Sequence, residues 1–260
     1  MRSLFCVCGK ARVDNQKSMT RRRWIADTFT ETTASLVGAQ AEHLARVLRA
    51  QPGTQADIVA NGRVYRASAH TVNIEEIIFT LLEEIPAEAA LPITLLLAIF
   101  KFDRMEWAIE KATELGVAAI VPIVARRTEK HLAQSADKRV ERWRRLAHEA
   151  AKQSRRADIP SIEDPIALRT HLEQPTNSLR ILLSENEHNT TLRQRIDSAM
   201  ASTESELPNF ELAIGPEGGW TDDELALFEK HHWQSASLGP RILRAETAAI
   251  SALAIASALL

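Results

Sequence analysis

The sequence contains little cysteine, which limits both disulfide bonding and metal binding. Of its 260 residues only Cys6 and Cys8 are cysteines. Two cysteines so close together cannot form the disulfide framework of a small secreted protein, and we therefore expect a reducing, cytoplasmic environment. The pair would supply at most half of a zinc site, and no second half follows it, so no metal ion is predicted.

The chain also lacks a long apolar run. Its most apolar stretch, residues 245–260, is interrupted by Glu246 and Thr247 and falls short of the about 20 residues that a membrane-spanning helix needs. We interpret this stretch as a buried helix. Residues 1–18 have neither the apolar core nor the cleavage site of a secretory signal. We expect residues 1–20 to be a disordered tail or a start assigned too early, with Met19 as the initiator.

Neither sign of charge is in excess. Thirty-two lysines and arginines stand against 34 aspartates and glutamates, so the formal net charge is -2 and the pI is about 6.5. A protein that binds nucleic acid over its whole surface is usually basic. Any binding of nucleic acid by this chain must therefore come from a local patch.

The first part of the chain, residues 21–84, has the pattern of a small β-rich domain. Asn61-Gly62 lies between two short apolar runs, which is a strong signal for a β-hairpin. One helical segment, residues 41–50, interrupts the strands. The acidic, proline-containing residues 83–91 are predicted to be a linker.

The second part, residues 91–260, alternates between strand and helix patterns, which is typical of an α/β domain with a mostly parallel sheet. We predict that Asp103 caps the first helix of this part and that Thr221 and Glu224 form a capping box for a later one. The predicted strands are residues 93–100, 117–124, 179–184, 210–214 and 235–238. The first predicted helix begins at Asp103. The other predicted helices span residues 137–153, residues 222–231 and the C-terminal segment.

Three loops follow predicted strands in positions where open parallel sheets bind ligands. They are residues 183–187, the glycine-rich residues 215–219 and residues 238–244. A glycine-rich turn is often only a tight turn, and the residues between Gly215 and Gly219 match neither a dinucleotide fingerprint nor a phosphate loop. Two Gly-Pro loops near the C-terminus, one of them with two arginines, favour a ligand site.

These segments resemble the signature loops of a known enzyme family. Residues 215–219 (GPEGG) and 237–248 (SLGPRILRAETA) are similar to those of the enzymes that methylate N3 of a uridine in 16S ribosomal RNA, which are SPOUT methyltransferases. Lys101, residues 111–117, Gln153 with Ser154 and residues 43–49 resemble family segments in the same order. Arg155 departs from the family pattern, in which we expect glycine.

The resemblance implies a fold, a cofactor and an assembly. It implies a C-terminal domain with a trefoil knot, a PUA-like β-barrel at the N-terminus, S-adenosylmethionine as cofactor, and a homodimer that acts on the small ribosomal subunit. The apolar C-terminal helix suits a dimer interface and burial within one subunit equally well. The cofactor-binding residues that we predict lie on the three loops and the helix after them: Leu183, Ser184, Glu185, Gly215, Pro216, Glu217, Gly218, Gly219, Leu238, Gly239, Ile242, Leu243 and Thr247.

Methylation at N3 of uracil requires the loss of a proton from that nitrogen. A general base, or cations that stabilise the developing anion, would meet this requirement. Glu217 and Glu246 are candidate bases, whereas Arg241 and Arg244 are candidate stabilisers. We rank Arg244 first because it lies where the second signature loop meets the start of a helix.

Basic residues for contact with RNA concentrate in three segments. The helix at residues 137–153 and the turn after it form the first of these segments, and the alternative interpretation is an ordinary solvated face. The RNA-binding candidates are Arg22, Arg23, Arg46, Arg49, Arg126, Arg127, Arg142, Arg145, Arg155 and Arg156.

Three other functions remain open at this stage. A related SPOUT enzyme could act on tRNA or on a ribose 2′-hydroxyl with the same fold and cofactor. A non-catalytic ribosome assembly factor could keep the barrel without the chemistry. A nucleotide-binding enzyme of the doubly wound type is less favoured, because no phosphate-loop spacing occurs.

Overall fold

The computed structural model describes residues 23–201 and 207–260. The predicted tail at residues 1–20, the Cys6–Cys8 pair, the Met19 start and the RNA-binding candidate Arg22 lie outside these ranges. Within them, no helix is long and apolar enough to cross a membrane. The described residues also contain no group of three or more histidine, cysteine or acidic side chains placed to hold a metal ion.

The first part of the chain forms a six-stranded sheet. The strands lie in the order β1-β4-β5-β6-β3-β2, and all neighbours are antiparallel except the parallel pair of β1 with β4. Asn61 and Gly62 join β4 to β5, and both have the positive φ that a tight hairpin turn requires. The strands are β1 (Arg23–Ile25), β2 (Thr28–Phe29), β3 (Thr33–Val37), β4 (Gln55–Ala60), β5 (Arg63–Val72) and β6 (Glu76–Ile85).

Alternation along these strands buries one face of the sheet. Leu36, Ile58 and Phe79 are fully buried in its core, together with residues of the predicted helical segment. That segment is α1 (Ala39–Glu42), which continues as a π-helical turn over His43–Val47. The prediction of a helix to residue 50 is wrong at its end, because Arg49 has a φ of 53° and turns the chain out of the helix.

The second part forms a parallel sheet of seven strands. Their order is β10-β8-β7-β12-β11-β13, with β9 paired to β8. This confirms the predicted α/β class with a mostly parallel sheet. The strands are β7 (Leu91–Ala98), β8 (Val117–Val124), β9 (Ser161–Ile162), β10 (Ile166–Ala167), β11 (Leu179–Leu183), β12 (Phe210–Ile214) and β13 (Gln234–Ala236).

Helices cover both faces of this sheet, which explains why its strands are apolar throughout. Trp143 and Leu253 belong to the larger core on one face, and Trp220, Phe228 and Trp233 belong to the core on the other face. The helices are α2 (Phe102–Glu114), α3 (Lys130–Ser135), α4 (Val140–Ser154), α5 (Leu168–Leu172), α6 (Leu192–Ala201), α7 (Asp222–Lys230) and α8 (Ala245–Leu259).

Helix termini agree with the predictions in one case and not in another. Thr221 accepts a hydrogen bond from the backbone of Glu224, whose carboxylate accepts one from the backbone of Thr221, so the predicted capping box of α7 is confirmed. The prediction that Asp103 caps α2 is wrong. Lys101 occupies the cap position, and Asp103 lies in the first turn, where its charge still suits the helix dipole.

The two sheets are joined by residues 86–90 and by direct packing. Ile25, Val59 and Val64 of the first sheet form a buried cluster with Ala151 and Ala157 around the end of α4. Arg23 also donates a hydrogen bond of 3.0 Å to the carbonyl of Arg155. The position of the first sheet relative to the second is therefore fixed by apolar contacts as well as by the linker.

Candidate functional site

The strand order brings the three predicted loops to one edge of the parallel sheet. β12 pairs with β7 on one side and with β11 on the other, and β13 lies beyond β11. In parallel strands the carboxyl ends share one edge, so the loops after β11, β12 and β13 are neighbours there. Ligands of open α/β sheets bind at this edge.

A cavity of about 560 Å³ lies between these loops. This volume is within the range of roughly 300–1,000 Å³ that pockets for small organic molecules occupy. Most of the predicted cofactor-binding residues line it: Leu183, Ser184, Glu185, Gly215, Pro216, Glu217, Gly219, Leu238, Gly239, Ile242 and Leu243.

The other predicted residues are divided between the wall of the cavity and its surroundings. Arg241 and Arg244 line the cavity, whereas Gly218, Glu246 and Thr247 do not. The loop-based prediction did not include several lining residues that follow the same strands or lie on the helices above them. These are Asn186, His188, Ile214, Trp220, Leu225, Ser237, Pro240, Ala245 and Ala248.

The glycines of the loop after β12 are required by close packing and by backbone conformation. A Cβ atom at Gly215 would lie 3.0 Å from the indole nitrogen of Trp220, and one at Gly218 would lie 3.2 Å from Cδ of Arg127. Gly219 has a φ of 70°, and its N–H donates to the carbonyl of Pro216 at 2.8 Å. Side chains at these positions would displace the loop, so glycine leaves its backbone open to a ligand.

Arg127 supports the glycine loop from the end of β8. Its Nη1 donates to the carbonyl of Gly218 at 2.5 Å and to that of Trp220 at 3.2 Å. Arg127 is also one of the residues predicted to bind RNA. Its contacts place it against the loop that walls the cavity, and the residue is exposed.

Arg104, which was not predicted to be a site residue, makes a second contact with this loop. Its Nη1 lies 2.6 Å from Oε1 of Glu217, and its Nε lies 3.8 Å from Oε1 of Glu246. Arg104 belongs to the first turn of α2, directly after β7, the strand beside β12. Its position after a strand at the ligand-binding edge could have indicated a role in the site. The sequence contains many arginines, however, and nothing in the pattern distinguished this one.

The start of α8 forms the opposite wall. Arg244 is the N-cap residue, and Arg241 and Ile242 before it are exposed. Glu246 in the first turn is buried, with only 7% of its side chain accessible, and its Oε2 has no hydrogen-bond partner among the described residues. Thr247 is exposed on the outer side of the same turn.

The loop after β11 is held by a carboxylate at its centre. Glu187 accepts hydrogen bonds from the backbone N–H groups of Asn189 and Thr190, at 2.7 and 3.0 Å, and these bonds lower its pKa. The residues at the start of this loop, which include Ser184, Glu185 and Asn186, contribute to the cavity wall.

Helix α4 carries two of the predicted RNA-binding residues, Arg142 and Arg145, and other arginines beside them, but some of these arginines are paired within the protein. Arg142 makes two hydrogen bonds with the carboxylate of Glu106, at 2.7 and 2.8 Å. Arg144 pairs with Glu141 and Asp164. Arg145 is exposed, and no described side chain within ion-pair distance neutralises it.

Arg156 was predicted to bind RNA, but its burial contradicts that prediction. Its side chain is buried and donates to the carbonyls of Thr113 and Val117, both at 2.8 Å, and it pairs with Asp158. A guanidinium fixed in this way joins α4 to β8 and is not accessible to a phosphate. Burial of a charged side chain cannot be deduced from its place in a basic run.

The remaining RNA-binding candidates lie on the surface or at the junction of the two sheets. Arg46 pairs with Glu42 one turn before it, and Arg49 and Arg126 are exposed. Arg23 contacts the carbonyl of Arg155. Arg155 itself ends α4 in the left-handed conformation, with φ 61° and ψ 32°.

Comparisons with known proteins agree with this geometry. Residues 87–257 match the model of a family described as RNA methyltransferase domain. The chain is 36% identical to the ribosomal RNA small subunit methyltransferase E of a Synechocystis species over 241 residues, which cover 90% of this chain and 76% of the relative. It is 31% identical to the protein of that name from Bacillus subtilis, over 86% of this chain and 90% of the relative.

Solved structures are similar over nearly the whole chain. The ribosomal RNA small subunit methyltransferase E of Neisseria gonorrhoeae, bound to S-adenosyl methionine, superposes with a TM-score of 0.74 at 27% identity, covering 92% of this chain and 97% of that one. A methyltransferase of Legionella pneumophila, in complex with the same cofactor, superposes with a TM-score of 0.72 at 29% identity over 91% and 96% of the two chains.

Proposed function

This chain belongs to the family of ribosomal RNA small subunit methyltransferases E, and from that premise we propose that it methylates N3 of one uridine in 16S ribosomal RNA with S-adenosylmethionine. It is an enzyme, an RNA methyltransferase of α/β fold. The observation that carries the proposal is the cavity at the carboxyl edge of the parallel sheet, walled by three loops.

The residues of this cavity fit the proposed cofactor. Gly215 and Gly219 line the cavity, and a Cβ atom at either position would crowd Trp220 or Glu185, so these glycines keep a loop whose backbone donors and acceptors can approach an adenine edge. Carboxylates at Glu185 and Glu217 and polar groups at Ser184 and Asn186 surround the same space. When bound, the cofactor supplies a methyl group activated by its positively charged sulfur.

The protein's own residues would handle one proton and one developing negative charge. Uracil N3 carries a proton at neutral pH, so it becomes a nucleophile only as that proton leaves. Arg241 and Arg244 line the cavity and would stabilise charge on the uracil carbonyl oxygens. Glu217 and Glu246 remain the candidate bases, with Oε1 of Glu217 held by Arg104 and Oε2 of Glu246 without a hydrogen-bond partner in the part of the chain that the structure describes.

Contact with RNA would come from the arginines that the fold leaves exposed. Arg145, Arg126 and Arg49 are exposed cations, and Arg46 and Arg142 have weaker claims because each is paired with a glutamate. N3 lies on the Watson–Crick edge, so the target uridine must be unpaired or flipped out of a helix. An exposed uridine in a folded ribosomal RNA meets this requirement.

The proposal also includes the fold and assembly that the resemblance implied. The parallel sheet would belong to a SPOUT domain with a trefoil knot, and the first sheet to a PUA-like RNA-binding domain. α8 packs against the core through Ala249, Leu253 and Ala256 but leaves Ile255 partly exposed. That face would form the interface of a homodimer working in the cytoplasm.

The proposal is tested by methyl transfer from labelled cofactor to isolated small subunits that lack the modification. Primer extension on the 16S RNA then locates the methylated nucleotide. A methyl group on N3 blocks base pairing, so reverse transcriptase should stop at a single uridine in 16S RNA. Incorporation of label without a stop would show that the enzyme methylates a ribose or another atom and not N3. Absence of both label and cofactor binding would favour a non-catalytic assembly factor.

A further inference from the structure

We propose that Arg104 is a positioning residue of the cofactor pocket. It ties Glu217, at the tip of the glycine loop, to α2 and to buried Glu246, and so holds the loop in its binding shape before a ligand arrives. The proposal rests on the proposed function in one respect, namely that the ligand of the cavity is S-adenosylmethionine.

The contacts of Arg104 join three elements that are distant in sequence. Its guanidinium lies on α2, Glu217 follows β12, and Glu246 is in the first turn of α8. The distances are 2.6 Å to Oε1 of Glu217 and 3.8 Å to Oε1 of Glu246. One side chain therefore connects the two signature loops of the cavity, although it does not line the cavity itself.

Burial explains why Glu246 needs this arginine. Only 7% of the Glu246 side chain is accessible, and an unpaired carboxylate in such a place carries a large desolvation cost. Among residues 23–201 and 207–260, Arg104 is the one basic side chain within ion-pair distance of Glu246. The Arg104 guanidinium that offsets the buried charge of Glu246 is therefore fixed in place, where it also pairs with Glu217.

Flexibility explains why the loop needs this arginine. Glu217 is followed by two glycines, whose backbones lose more freedom on ordering than those of other residues. Arg127 holds the backbone carbonyls of Gly218 and Trp220 from one side, but it makes no contact with the Glu217 side chain. Arg104 supplies the contact at Glu217, so the loop is held at two points from two neighbouring strand ends.

A double-mutant cycle measured by cofactor binding tests this inference. Arg104→Gln, Glu217→Gln and the double variant are compared with the parent protein by calorimetric titration with S-adenosylmethionine and with S-adenosylhomocysteine. Each single variant should bind about tenfold more weakly, because the loop must be ordered on binding, and the double variant should be no weaker than the singles. The loss should be equal for both ligands, since loop ordering does not depend on the charge of the ligand sulfur.

The control is Arg193→Gln, which removes an exposed ion pair with Asp197 on α6 and should leave both affinities unchanged. Circular dichroism checks that each variant folds. Should Arg104→Gln fail to fold, Arg104→Lys replaces it, because the ammonium keeps a positive charge beside Glu246.

Two results would overturn the inference: unchanged affinities in the single variants, or losses that multiply to about a hundredfold in the double variant. If the variants lost affinity unequally for the two ligands, a direct charge effect would explain the loss in place of loop ordering. That result would also overturn the inference. A parent protein that binds cofactor but methylates no uridine would defeat the proposed function alone. A parent protein that binds neither ligand would defeat both.

Discussion

Single arginines of the same basic segment have different roles in this molecule. Arg156 is buried against two backbone carbonyls and Asp158, Arg142 is paired with Glu106, and Arg145 is exposed with no ion-pair partner among residues 23–201 and 207–260. Their places in the sequence are alike, and only the neighbours brought by α2, β8 and the following turn distinguish them. Residue type and spacing could therefore predict a basic surface but not which cations remain available for RNA.

The first prediction at this scale concerns Arg244. Arg244→Ala should lower kcat by about 10²- to 10³-fold, because a cation that stabilises the developing uracil anion is lost. The dissociation constant for S-adenosylmethionine should change by less than about threefold, since that charge does not exist in the ground state. Steady-state kinetics on small subunits and calorimetry measure the two quantities. Arg193→Ala, which removes only an exposed ion pair with Asp197, is the control. If Arg244→Ala turned over as fast as this control, Arg244 would not be a catalytic residue.

The second concerns Gly219 and uses Gly53 as its matched control. Both glycines have positive φ, 70° and 89°, so alanine at either position should cost about 1–2 kcal/mol of stability. Gly219→Ala should also weaken cofactor binding about tenfold, because Gly219 lines the cavity and Gly53 does not. Thermal unfolding and calorimetry measure these effects. Equal cofactor affinities for the two variants would exclude a role of the Gly219 backbone in the pocket.

At the scale of the elements, apolar patterns predicted the interior strands and the long helices. β12 has the predicted limits, and α4 occupies nearly the predicted residues 137–153, with Val140, Trp143 and Ala147 buried on one face. Very short elements, such as β9, β10 and α5, were not predicted, because two to five residues contain too little periodicity. The three loops of the cavity were predicted from their place after strands, whereas Arg104 became recognisable only when the topology placed α2 beside β12.

Arg155 provides a prediction about a helix terminus. It ends α4 with φ 61°, a conformation that favours glycine, which is also the residue expected there from the family pattern. Arg155→Gly should raise stability by about 0.5–1 kcal/mol and the Tm by about 1–4 °C, while RNA affinity falls if its guanidinium contacts phosphate. Lys152→Gly, within the same helix, should have the opposite effect on stability. A lower Tm for Arg155→Gly would show that the strain is compensated by contacts of its side chain.

The opposite edge of the parallel sheet provides a pH-dependent prediction. Glu211 of β12 lies 3.3 Å from Arg180 of β11 and 3.8 Å from His171 of α5. Burial alone raises the pKa of Glu211, but His171 and Arg180 outweigh it, so the pKa is lower than that of an ordinary glutamate. A lowered pKa in the folded state contributes stability above the unfolded-state value, about 4.3, which is lost as the pH falls through the folded-state value.

Glu211→Gln should therefore lower the free energy of unfolding by about 1–3 kcal/mol at pH 7, with a difference that shrinks below pH 4. Chemical denaturation at a series of pH values measures this. Cofactor affinity serves as the control and should not change, since Glu211 is absent from the cavity wall. A difference in stability that stays constant from pH 7 to pH 3 would contradict the lowered pKa.

At the scale of the whole molecule, the two sheets are held together by a buried cluster and by the bond from Arg23 to the Arg155 carbonyl. Exposed arginines on the first sheet and on α4 therefore have fixed positions relative to the cavity. A rigid arrangement of this kind would let an RNA held by these arginines present one nucleotide to the cavity. Composition gave no sign of this surface, because a net charge of -2 conceals local basic patches.

The central claim is that the enzyme places one methyl group on N3 of a uridine, and nucleoside analysis tests it most directly. Small subunits are methylated with labelled cofactor, and their 16S RNA is digested to nucleosides and separated by chromatography with mass detection. Our account predicts that the parent protein places the label in 3-methyluridine and that Arg244→Ala forms far less of this nucleoside. Label in a 2′-O-methylated nucleoside or in a different methylated base would contradict it.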